Sequence, residues 1–157
     1  MTRNLLIFLA AGGSAAILLG AFGFQYIGGL APCELCLWQR WPHGAAILAG
    51  AAGLVVGGAL LPLVGAAAAL TTAGIGVYHT GVERKWWQGP QGCSAGDGGL
   101  TGLSGADLLS MDGPVNVVMC DEVVWEMFTL SMASWNAILS MGFALLWLAA
   151  VRAGRRA

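Results

Sequence analysis

The chain has 157 residues, 57% of them hydrophobic and 10% charged, with a mean hydropathy of +0.74; the length holds one domain, and the charge is too sparse to coat a water-soluble surface. Seven Lys and Arg against eight Asp and Glu give a formal net charge of -1, so no basic field exists for a nucleic-acid backbone and nucleic-acid binding is excluded. The apolar content also excludes disorder, and 25 glycines in an Ala-rich background suit membrane helices that approach one another through small residues.

Charge is absent from Leu5 to Ala31, and Leu5 to Ile27 is long enough to cross a hydrocarbon core as a first transmembrane helix. A cleaved signal peptide would have a shorter apolar region, roughly 7 to 15 residues. From Gly44 to Tyr78 a second uncharged stretch is interrupted by Gly57, Gly58 and Pro62, which predicts two helices joined by a tight turn. A last span runs from about Trp135 to Val151 and ends at Arg152, Arg155 and Arg156. The expected architecture is therefore all-α: a single domain over 1–157, built as an integral membrane four-helix bundle. Its spans fall at about 5–27, 37–58, 62–79 and 134–151, with outer loops at about 28–36 and 80–133.

Arg3 before the first span and three arginines after the last place both termini in the cytoplasm, because basic residues favour that side. The 28–36 loop and the long 80–133 segment between helices 3 and 4 then face the bacterial periplasm. Arg40, Arg84 and Lys85 run against this, but the long segment carries seven acidic residues against two basic ones, and long segments cross largely regardless of charge. Nine glycines between Thr80 and Leu130 predict a mobile segment, in which Leu103, Leu108, Leu109 and Met111 could form a short amphipathic turn on the membrane surface. The seven tryptophans mostly sit near expected span ends, as an aromatic belt would.

All four cysteines, Cys33, Cys36, Cys93 and Cys120, fall on the expected outer side. An oxidising compartment favours disulfides; of three possible pairings, Cys33 with Cys36 and Cys93 with Cys120 is the most natural. A zinc site competes, but one CxxC is followed by cysteines 27 positions apart, with no second close pair. Pro32 precedes the CxxC at the start of an apolar helix, and proline favours the first helical position, which places the pair in the first turn. There the helix dipole and free N–H groups favour a thiolate, the form that exchanges disulfides. Cys33, Cys36 and Arg40 follow at i, i+3 and i+7, a spacing that sets a cation under a thiolate on one helical face. An arginine inside a span is costly and points to function, with snorkelling to the headgroups as the structural alternative. His79 stands where the third span emerges, level with Cys36.

These residues resemble the DsbB-type disulfide-bond formation proteins over nearly the whole chain. The resemblance rests on Pro32-Cys33-Glu34-Leu35-Cys36-Leu37-Trp38-Gln39-Arg40, on Tyr78-His79-Thr80-Gly81-Val82-Glu83, on Cys93, and on Cys120-Asp121-Glu122 followed by Trp125, Ser131-Met132 and Trp135-Asn136. It implies a quinone-linked thiol oxidase of the bacterial inner membrane. A periplasmic thioredoxin-like partner of the DsbA type would attack a Cys93–Cys120 disulfide at Cys93, and Cys120 would then attack Cys33. Cys36 would pass the electrons to a ubiquinone or menaquinone, with Arg40 stabilising thiolate and quinone, and His79 and Met132 lining the pocket. Val124 and Thr129 stand where the family pattern has proline and glycine, and Met119 where it has a basic residue. The rival from another class is a membrane protein with structural disulfides, or a metal- or haem-handling module.

Overall fold

A computed structural model describes residues 1–90, 93 and 119–154. The surface turn expected at Leu103–Met111, the glycine-rich stretch around it, and Arg155 and Arg156 lie outside the described residues.

Among the described residues four helices carry the fold: α1 (Arg3–Tyr26), α2 (Glu34–Val55), α3 (Leu60–Glu83) and α4 (Met132–Gly154). Helix α1 starts where Thr2 Oγ1 accepts the Leu5 N–H at 3.4 Å, satisfying one of the free donors of the first turn, and ends before Gly28 and Gly29. Helices α2 and α3 are joined across residues 56–59, where Gly58 takes φ +92°, a conformation that glycine adopts without a Cβ clash. Each helix packs on two neighbours, α1 and α3 both lying against α2 and α4.

Small side chains make these approaches close. Ala10, Ala66, Ala69, Ala144 and Ala150 are buried together around Leu6, Ile7 and Trp147. Gly65 lies flat against the Trp147 ring, where a Cβ would come within 2.5 Å of Cε2. Large apolar side chains such as Phe8, Leu19, Leu48 and Leu145 are exposed, as expected of a surface whose solvent is lipid. Trp147 is therefore no part of an aromatic belt: it is 0% exposed in the core. Trp38, Trp41, Trp86 and Trp87 are the exposed ones.

Among the described residues three helices, α1, α3 and α4, are long and apolar enough to cross a membrane. Helix α2, expected to span at about 37–58, is not among them, because Gln39, Arg40 and His43 fill its first half. Its start also differs from expectation. Cys33 is the N-cap, in extended conformation, and its Sγ accepts the Cys36 N–H at 3.3 Å. Pro32 thus stands one residue before the cap, outside the helix.

The far ends of the helices gather the loops. Arg3 Nη2 donates to the carbonyls of Val56 and Gly58, each at 3.1 Å, so the N-terminus and the α2–α3 turn share one end. Cys33, Cys93 and Cys120 lie at the other. Helix α3 ends in a Schellman-type turn, with Trp86 N–H on the Gly81 carbonyl and Lys85 N–H on the Val82 carbonyl. Lys85 takes φ 60° there and pairs with Asp121. The all-α expectation misses one feature, a hairpin of β1 (Glu126–Met127) and β2 (Leu130–Ser131). Phe128 and Thr129 turn it, at φ 53° and 62°.

Candidate functional site

Cys93 and Cys120 form a disulfide with Cα atoms 5.0 Å apart, and the Cys120 N–H donates to the Cys93 carbonyl at 2.6 Å. Cys33 and Cys36 are free thiols, their sulfurs 3.1 Å apart. Cys33, Cys93 and Cys120 are buried in one cluster with Leu35 and Val82, and Cys36 packs against it. All four cysteines therefore meet at one end of the bundle. The Cys33 thiol is pushed above its ordinary range, first by the hydrogen bond to Cys36 that holds its proton and then by burial.

On the other side of Cys36 lies a cavity of about 450 Å³ between α1, α2, α4 and the 124–127 segment. Cys36, Arg40, His79 and Met132, the four residues expected to line a pocket, all line this cavity. Its other walls are largely apolar, from Leu18 and Phe24 of α1 to Leu139 of α4. Trp125, held by its ring against Phe24 at 5.3 Å, and Trp135 line it too. Arg40 does not merely sit beneath Cys36: its Nη1 donates to Gln25 Oε1 at 2.6 Å, and its guanidinium lies 4.9 Å over the Phe22 ring. This anchors the cation to α1 and holds it at the cavity wall.

His79, 3% exposed, brings its Nε2 to 3.5 Å from Cys33 Sγ and 3.8 Å from Glu83 Oε1. Its tautomer follows from its other nitrogen. Gln39 Nε2 donates to the Leu35 carbonyl at 3.1 Å, which identifies that atom as the amide NH2; its second proton goes to His79 Nδ1, also at 3.1 Å. Nδ1 is the acceptor, so Nε2 carries the hydrogen and donates to Cys33 Sγ. Glu83 in turn accepts from Ser131 Oγ, which fixes the foot of α4 to the end of α3.

The residue motifs did not single out the network behind His79. Gln39 Oε1 accepts from Asn136 Nδ2 at 2.6 Å, and Asn136 Oδ1 meets His43 Nε2 at 2.8 Å and accepts from Ser140 Oγ at 3.2 Å. Thr72 closes it, its hydroxyl donating to the Gln39 carbonyl at 3.2 Å. Gln39, His43, Thr72, His79, Asn136 and Ser140 are all buried. The signal in the sequence was lone polar residues inside apolar spans, which are costly unless partnered. The Cys33, Cys36 and His79 donor atoms also lie within 4.8 Å of one another, a set of ligand types that zinc accepts.

A family model described as "Disulfide bond formation protein DsbB" matches residues 3–150. No solved structure matches the chain.

Proposed function

The chain belongs to the DsbB family of disulfide bond formation proteins, membrane proteins whose chemistry is thiol oxidation, and from that premise we propose that it is a thiol:quinone oxidoreductase of the bacterial inner membrane. It takes electrons from a periplasmic DsbA-like dithiol protein and passes them through Cys93–Cys120 and then Cys33–Cys36 to a membrane quinone. The observation that carries this reading is the position of Cys36, between a buried cluster of sulfur and an apolar cavity.

The cavity fits such a ring. Its volume lies in the range of small-molecule sites, and its few polar groups stand on largely apolar walls. When bound, a quinone supplies a bilayer-soluble acceptor of two electrons and two protons. Arg40 then balances the negative charge of a Cys36 thiolate from the same wall, and Trp125 and Met132 keep water from the sulfur.

The outer steps are thiol–disulfide exchanges. A partner thiolate attacks Cys93, breaking its bond to Cys120 and forming a mixed disulfide. Cys120 then attacks Cys33 of an oxidised inner pair, and the partner's second thiol displaces Cys93 as its own disulfide closes. Cys93 finally recovers Cys120, leaving Cys33 and Cys36 with the two electrons. Three buried sulfurs in one cluster, with the half-buried Cys36 packed against it, give these exchanges short paths. The raised Cys33 thiol keeps its proton, and Cys36 is left as the sulfur that meets the cavity. Basic Arg3 and Arg152 at the end away from the cysteines support cytoplasmic termini and periplasmic cysteines.

The decisive assay is quinone loss by ultraviolet absorbance, with detergent-purified protein, a reduced thioredoxin-like partner and a ubiquinone or menaquinone analogue. Turnover is expected, abolished by Cys36→Ser and demanding much more quinone with Arg40→Ala. The donor trio of Cys33, Cys36 and His79 favours one second reading, a metal-handling module. Folded protein without turnover, holding stoichiometric zinc, would establish that reading instead.

A further inference from the structure

The buried network between the helices has a fixed polarity. The Thr72 backbone carbonyl can only accept, and the Asn136 atom facing it at 3.3 Å is Nδ2. The Asn136 amide is thereby oriented, its NH2 directed to Thr72 and to Gln39 Oε1, its Oδ1 to His43. Oδ1 accepts, so the hydrogen on the His43 ring sits on Nε2. In the neutral ring the remaining nitrogen, Nδ1, is a lone-pair acceptor.

That Nδ1 is buried and has no hydrogen-bond partner among the described residues. Every other side-chain nitrogen and oxygen of Gln39, Thr72, His79, Asn136 and Ser140 that is buried has one. His43 is 2% exposed and lines the same cavity as Cys36 and Arg40, at i+7 and i+3 from them on α2. An unpartnered buried acceptor costs free energy unless something donates to it. Among the described residues no wall residue does so; Arg40 Nε, a buried donor on the same wall, is also without a partner and makes no bond to Nδ1.

We propose that His43 Nδ1 accepts a hydrogen bond from a ring hydroxyl of the reduced quinone, so that the cavity binds the quinol more tightly than the quinone. The inference rests on the quinone reading above. A quinone carbonyl oxygen brings only lone pairs to Nδ1, whereas a quinol brings the O–H that Nδ1 lacks. The electron step is balanced by the cysteines: two electrons leave Cys33 and Cys36 as their S–S bond closes, and the Cys33 proton and one from water complete two O–H groups. His43 acts on the end state, favouring it by binding. A tenfold preference for the quinol raises the two-electron potential of the bound ring by about 30 mV, and so drives oxidation of the inner pair. The charged or titratable groups that share the cavity with His43 are Arg40, Cys36 and His79. The groups bonded to its Nε2, on α3 and α4, are the neutral Thr72 and Asn136.

The test is direct binding, by anaerobic equilibrium dialysis, of a decyl-tailed benzoquinone, its quinol and the quinol dimethyl ether. With both cysteine pairs oxidised, the protein has no electrons to give the ring. The wild type should bind the quinol about tenfold more tightly than the dimethyl ether, the scale of one buried hydrogen bond. His43→Leu should weaken quinol binding by about tenfold and quinone binding by less than about twofold. Equal loss of both forms, or no loss of either, overturns the proposal while leaving the quinone reading intact. If His43→Leu does not fold, the wild-type comparison decides: equal affinity for quinol and dimethyl ether overturns the proposal. Wild-type protein that binds no form overturns the quinone reading, and this proposal with it.

Discussion

Asn136 holds His43 in one tautomer. Its Oδ1 stands 2.8 Å from His43 Nε2 while its amide nitrogen is committed to the Thr72 carbonyl at 3.3 Å and to Gln39 Oε1 at 2.6 Å. This diagonal contact from α4 to α2 is made by side chains alone, and it joins the deep end of the cavity to the His79 that faces Cys33.

Asn136→Leu removes the hub of this network and leaves Gln39 Oε1 and the His43 Nε2–H without their best partners. The expected destabilisation is about 2 to 4 kcal/mol, since each stranded buried group costs about 1 to 3 kcal/mol. Thermal unfolding in detergent measures it. In a double-mutant cycle, adding His43→Leu to Asn136→Leu should cost less than His43→Leu costs alone, because the stranded donor is gone. Strict additivity would show that the two residues do not share one network.

Gly65→Ala places a methyl group against the Trp147 ring, at 2.5 Å from Cε2 on the present backbone. Helices α3 and α4 must then separate or Trp147 must leave its place, at an expected cost of about 1 to 3 kcal/mol. The same substitution at Gly74, where a Cβ meets nothing within 4 Å, should be neutral or mildly stabilising by helix propensity. Paired melting curves of the two variants check this.

Thr129→Gly should stabilise the hairpin. Thr129 holds φ 62°, a left-handed conformation that strains a β-branched residue and suits glycine. The gain is about 0.5 to 1 kcal/mol, reduced by glycine's greater freedom in the unfolded chain. An unchanged or lower melting temperature would contradict the strain.

The raised Cys33 thiol has a pH signature. The folded chain holds the Cys33 proton to higher pH than the unfolded chain, whose cysteines ionise near about 8.5. The stabilisation from this proton is therefore complete below that value and is lost as pH rises through the higher folded range. Protein with a reduced inner pair should melt progressively lower above about pH 8.5, and Cys33→Ser should flatten the curve. At neutral pH, iodoacetamide followed by mass spectrometry should find Cys36 alkylated well before Cys33.

Much of this was legible in the sequence. Apolar runs and their breaks at Gly57, Gly58 and Pro62 announce four helices, and CxxC followed by Arg40 marks the end of α2 that lines the cavity. The start of α2 differs from the expected one because a cysteine serves as its N-cap, which leaves Pro32 outside the helix. Trp147 lies toward the end of the last expected span, and sequence position says nothing of which face it occupies; its burial depends on Gly65, more than 80 positions earlier. The network was hidden for the same reason. Gln39 and Asn136 are 97 positions apart, and a single chain gives no sign that two lone polar residues on different spans will find each other. What the sequence did offer was their cost, an amide and an imidazole inside apolar helices, which required partners.

In the proposed mechanism electrons leave the Cys33–Cys36 pair for a quinone in the cavity beside Cys36. The direct measurement is a single turnover: protein with Cys93→Ser and Cys120→Ser, its inner pair reduced, mixed anaerobically with one equivalent of a short-chain quinone. Loss of about one quinone per chain, with disappearance of both free thiols and no reaction in the Cys36→Ser background, is the result expected of this mechanism. Quinone that stays oxidised beside two thiols still open to alkylation would contradict it.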